Sequence, residues 1–195
     1  MSSKINVLEI ISKHKSTIQN SDGKVINADK RHFVVYPILI GLLVTIIVSI
    51  PSEGLVNLFA VCLSIFIGLF LNLLVLIISF AENNQKVQDQ KNRAKLIEET
   101  FYNITYTIIA SLMGLGLLFL ANAEIFPESW TIVIAHTGKC IWFEAGMITI
   151  NKIITLLLYF MFYSMFAHII MTLLMIVKRV FKLFKIQIEE LSKME

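Results

Sequence analysis

Residues 55–81 read LVNLFAVCLSIFIGLFLNLLVLIISFA, an unbroken apolar run without a single Asp, Glu, Lys or Arg. As a helix it is about 40 Å long, more than the ~30 Å hydrocarbon core of a bilayer. Three further runs share its character: residues 33–50, which stop at Pro51, residues 101–121, and residues 152–177. Backbone groups in lipid must be satisfied within their own segment, and these runs are too long and uniform for barrel strands, so each is read as a helix. The first run follows 32 polar and mixed residues and has no small-residue cleavage site before Pro51, so it is read as a span and not a signal peptide.

Composition agrees with that reading. Of the 195 residues 56% are hydrophobic and 16% charged, and the mean hydropathy is +0.75. A soluble fold of this length could not hide so much apolar surface, which excludes a free-standing soluble enzyme and a disordered chain. The expected fold class is therefore all-α. It is a polytopic membrane protein of four transmembrane helices, with a short external β-hairpin or loop and cytoplasmic helical extensions.

Basic residues orient the spans. Lys4, Lys13, Lys15, Lys24, Lys30 and Arg31 precede the first span, and Lys86, Lys91, Arg93 and Lys95 lie between the second and third. Lys178, Arg179, Lys182, Lys185 and Lys193 follow the fourth, whereas the opposite side holds only Lys139 and Lys152. Fifteen of 17 basic residues thus share one side. The positive-inside rule then puts both termini and the central loop in the cytoplasm.

The organisation that follows has eight parts. Residues 1–32 form a cytoplasmic amphipathic segment, 33–50 the first span, 55–81 the second, and 82–100 a cytoplasmic helical loop. Residues 101–121 form the third span, 122–151 an external segment, 152–177 the fourth span, and 178–195 a cytoplasmic amphipathic tail. Pro51-Ser52-Glu53-Gly54 has turn chemistry and makes the first two spans a helical hairpin. Ile5, Leu8, Ile11 and Lys15 fall on successive turns, which suits a helix lying on the inner leaflet. The tail repeats this device with Val180, Phe181, Phe184, Ile188 and Leu191. Val87, Ala94 and Ile97 in the helical loop, with Phe181 and Phe184 in the tail, are candidate docking positions for a cytoplasmic partner.

In the external segment, Trp130 to Ala135 and Cys140 to Glu144 are β-branched or aromatic and flank a turn-like His136-Thr137-Gly138-Lys139. They predict a short hairpin or an interfacial loop, with Trp130 and Trp142 as anchors at the outer interface. Cys62 lies about 10 Å into the core, so pairing with Cys140 is not expected.

Catalytic patterns are missing. There is no P-loop, Gly-x-Ser-x-Gly, His-Glu-x-x-His or Cys-x-x-Cys, and no span carries an acidic residue in its middle. No enzyme activity, cofactor or metal is expected. What stands out is an intramembrane polar layer of Asn72, Thr107, Ser111, Ser164, His168 and Thr172. Asn72 and His168 each lie about 15 Å from the cytoplasmic charges and are expected to face inward and tie the bundle together. Ser64-x-x-x-Gly68-x-x-x-Asn72 and Ala110-x-x-x-Gly114 place small residues one turn apart, where helices approach closely.

The span layout, the polar helix around Gln85 to Glu99 and the basic-aromatic exit from Leu174 through Lys178, Arg179 and Phe181 carry a likeness. In these features the chain resembles small four-span membrane subunits of bacterial anti-phage systems, of the Kiwa type or the membrane accessories of RNA-targeting CRISPR systems. The resemblance implies an inner-membrane homo-oligomer, bound to lipid, coupled to a cytoplasmic effector that acts on nucleic acid, with no direct nucleic-acid contact by this chain. The function expected is a non-enzymatic sensor or scaffold. A depolarising pore and a small transporter are the alternatives.

Overall fold

Four long apolar helices dominate the computed structural model of the chain. It describes residues 6–17, 31–82, 90–123, 131–133 and 147–192. Helix α1 spans Val7–Thr17, α2 Tyr36–Val48, α3 Glu53–Glu82, α4 Gln90–Ala121 and α5 Ile150–Leu191. A π-helical turn, Arg31–Val35, leads into α2. Together with that turn α2 is long and apolar enough to cross a membrane, as are α3, α4 and α5.

Helix α2 starts with Pro37 in its first turn, where a missing N–H costs nothing. It ends at Ser49, whose φ of 54° reverses the chain while its N–H bonds the Thr45 carbonyl at 2.9 Å. The carbonyl of Ser52 then accepts from Leu55 N–H and Val56 N–H, both at 3.0 Å, and α3 begins. The turn joins α2 to α3, but the two do not pack as the expected helical hairpin, because α2 lies along α5 instead.

Helices α4 and α5 form the centre. α5 packs on α4, α3 on α4, α2 on α5 and α1 on α4. Toward the turn end the core holds Leu63, Leu118, Tyr159, Phe162 and Tyr163, all nearly inaccessible. Phe59 reaches from α3 to meet Phe162 and Phe166 edge-on at 5.2 and 5.1 Å. Toward the other end, called the basic end because Arg93, Arg179 and Lys182 lie there, the core is Phe70, Ile77, Ile104, Ile176 and Leu183. Gly114 lets α4 approach its neighbours, since a Cβ there would sit 3.1 Å from Leu63 and 3.4 Å from Met165. Outward, Ile47 is 72% and Phe119 76% exposed, a surface that suits hydrocarbon and not water as solvent.

The structure departs from the sequence reading in several places. Helix α5, 42 residues long, takes in both the fourth span and most of the tail, whose Val180 and Leu183 pack in the basic-end core. Thr131–Val133 pairs antiparallel with Met147–Thr149 in the register Thr131 to Thr149. The second strand therefore lies beyond Cys140 to Glu144, which is outside the described residues, as are Trp130, Trp142, Cys140 and Val87. Asn72 does not face inward. It lies exposed on the outer face of α3 with Ser64 and Gly68, because Leu63, Phe70 and Ile77 occupy the inward face. Among the described residues nothing stands within 4 Å of a Cβ built on Gly68, whereas Ala110 and Gly114 pack against neighbours.

Candidate functional site

Four residues of α1 recur at three- and four-residue steps: Val7, Ile10, His14 and Thr17. They are its less exposed positions and lie against α4. The stripe read from the sequence as membrane-facing borders this face, with Leu8 62% and Ile11 38% exposed. The helix thus presents one face to the bundle and another outward, because the 3.6-residue period separates the two sets.

His14 is the centre of the contact and is only 4% exposed. Its ring stacks on Tyr106 at 3.8 Å with the planes 2° apart, and stands edge-on to His168 at 6.0 Å. Its Nδ1–H donates to Asn103 Oδ1 at 2.8 Å. The Thr17 hydroxyl lies 2.8 Å from both Asn103 Oδ1 and the His14 carbonyl, and its single proton serves one at a time. Arg179 closes the knot. Its Nη2 donates to the Thr17 carbonyl at 3.0 Å, satisfying a free carbonyl at the end of α1, and pairs with Glu99 at 3.1 Å. Lys13 lies 5.6 Å over the Tyr102 ring.

His14 Nε2 and Asn103 Nδ2 are buried without a partner among the described residues. Burial pushes the His14 imidazole from 6.5 down to about 4, the Asn103 bond opposing that shift and the nearby His168 and Arg179 adding to it.

His168 belongs to a second tie. Its Nδ1–H donates to the Phe33 carbonyl in the π turn at 2.9 Å, and it stands edge-on to Tyr106 at 5.6 Å. Tyr106 and His168 close the basic end of a groove of about 730 Å³. Helices α2 and α4 wall this groove and α5 floors it, with Pro37, Met113, Leu117 and Met161 along its length. Gly41 allows α2 to touch α5 at Ser164, since a Cβ there would meet the Ser164 backbone at 2.7 Å.

The remaining polar layer is self-contained. Thr107 donates to the Asn103 carbonyl and Thr172 to the His168 carbonyl, each one turn back, so these hydroxyls are satisfied within their own helices. Ser111 is fully buried, and its Oγ and that of Ser164 have no partner among the described residues. Of the candidate docking positions, Ile97 packs into the basic-end core, Phe184 meets Phe80 edge-on at 5.2 Å, and Ala94 and Phe181 are exposed. Asn103, Tyr106, His14 and Arg179 were not among the candidates drawn from the sequence. Asn103 continues the four-residue step of Thr107 and Ser111 by one turn, a signal that was legible. That His14 meets it across 89 residues was not.

Chemically, the cluster can hold a helix in place and take up or release a proton. Among the described residues no group of three His, Cys, Asp or Glu side chains could hold a metal ion. No family model, curated protein or solved structure matches the chain.

Proposed function

We propose that this chain is a non-enzymatic sensor and scaffold of the bacterial inner membrane that holds α1 against its bundle in one state and offers it to a cytoplasmic effector in another. The observation that carries this reading is the docking of α1 through one buried knot of His14, Asn103, Thr17 and Arg179. An 11-residue helix is too short to persist alone in water, so its folding depends on what it docks to. The basic residues grouped at this end support termini that face the cytoplasm. The exposed side of Leu8 and Ile11 supplies apolar contact for lipid or for the effector.

Homo-oligomerisation is part of the reading. An amide directed at hydrocarbon lacks hydrogen-bond partners, and Asn72 beside Ser64 and Gly68 supports a second copy packing on α3. Anti-phage defence is the setting this architecture resembles, with the effector and not this chain acting on nucleic acid.

Crosslinking in cells followed by capture of tagged native chain and Asn103→Leu tests the proposal. The expected result is a specific cytoplasmic protein whose recovery changes several-fold when the knot is broken. Equal recoveries, matching those of an unrelated four-span protein, refute it.

The outward position of Asn72 also favours a second reading, a channel formed between copies. Dye leakage from liposomes that vanishes in Asn72→Leu is the expected result for that reading, and tight liposomes at all protein densities refute it.

A further inference from the structure

We propose that α1 is a proton-operated latch, and that one proton added at His14 Nε2 expels the helix from the basic end of the bundle. This deepens the sensor reading by naming what opens the latch, and rests on it. The geometry is specific. His14 Nδ1–H is already committed to Asn103 Oδ1, so the second proton must go to Nε2, which is buried with no acceptor in reach among the described residues. The imidazolium would thus hold a buried N–H without a partner, a cost no rotation of the stacked ring relieves.

The surrounding groups do not offset this charge. From α5, His168 stands edge-on to the ring at 6.0 Å, and Arg179 reaches the last carbonyl of α1. From α4 the ring meets Tyr106 and the neutral amide of Asn103, while the carboxylate of Glu99 is engaged by Arg179 at 3.1 Å. On α1 itself Lys13 adds a positive charge toward Tyr102, and Glu9 is exposed and bonded to Asn6. Among the described residues, the charged groups that act on the ring, His168 and Arg179, both disfavour a proton there.

The sign follows from the depressed value of about 4 against 6.5 in the released helix. Docking approaches full strength well above pH 6.5 and weakens as the pH falls through 6.5 toward 4, because only the released helix takes the proton readily. Between pH 7 and pH 5 the docking constant falls about 20-fold.

Hydrogen exchange of the purified chain in a neutral detergent, corrected for the intrinsic pH dependence of the rate, reads this directly. Protection of the α1 amides is expected to fall about 20-fold from pH 7 to pH 5, with α4 amides unchanged. His14→Phe keeps the stack but has no proton to gain, and is expected to show no pH response. Asn103→Asp sets a carboxylate against the imidazolium, and its α1 protection is expected to hold or rise at pH 5. A fall under threefold in the native chain, or an equal fall in His14→Phe or in Asn103→Asp, overturns the latch. The measurement needs no partner, so its failure leaves effector binding to be judged by capture.

Discussion

Replacing Asn103 by Leu separates the two hydrogen bonds that end on its Oδ1. Thr17 loses little, because its hydroxyl turns fully to the His14 carbonyl at 2.8 Å on its own helix. His14 has no such alternative. Its Nδ1–H loses its acceptor while still stacked on Tyr106, and moving the proton to Nε2 gives no relief, since that atom has no partner either. One buried donor left unpaired costs about 1–3 kcal/mol, and Leu fills nearly the same volume, so no cavity term is added. The α1 docking constant is therefore expected to fall between about 5- and 150-fold, at ~1.4 kcal/mol per tenfold. Thr17→Val, by the same reasoning, is expected to cost under about 1 kcal/mol. Amide-exchange protection of α1 at pH 7 measures both. Unchanged protection in Asn103→Leu, or a larger loss in Thr17→Val, refutes the assignment of His14 as the bond that matters.

Three other outcomes are expected. Gly41→Ala forces a Cβ onto the Ser164 backbone and is expected to lower the melting temperature in detergent more than Gly114→Ala, whose new methyl presses on the movable ends of Leu63 and Met165 and meets the Phe162 ring at an ordinary 3.9 Å. Arg179→Met removes both the Glu99 pair and the bond to the Thr17 carbonyl, and is expected to loosen α1 by about 1–3 kcal/mol, read by the same exchange measurement, with the basic-end core intact. Ser49→Gly relieves a φ of 54° and is expected to stabilise the turn between α2 and α3 by about 1 kcal/mol, seen as a higher thermal midpoint.

The candidate site was partly legible. Thr107, Ser111, Thr172 and His168 were found from their depth and spacing, and all but His168 are fully buried. Asn72 misled because depth along a helix does not state direction around it. On α3 nearly every position is apolar, so no polar face marks which side turns outward, and the packing of Leu63, Phe70 and Ile77 makes that choice. The same uniformity hid the outward course of Ser64 and Gly68. On α1 the apolar stripe of Leu8 and Ile11 is visible in the sequence, but nothing local pairs His14 with Asn103, 89 residues away.

Composition and run length alone determined that the chain forms four helices long and apolar enough to cross a membrane, because a helix satisfies its backbone polar groups within its own segment. The alternation of basic residues likewise needed no coordinates. Tertiary structure decided which faces meet. Contacts such as His14 with Asn103, Arg179 with Thr17 and Gly41 with Ser164 join residues 89, 162 and 123 positions apart and depend on helix rotation and crossing. Helix period repeats locally, but the angle at which one helix settles on another is set by the interlocking of side chains from both, and no single segment encodes it.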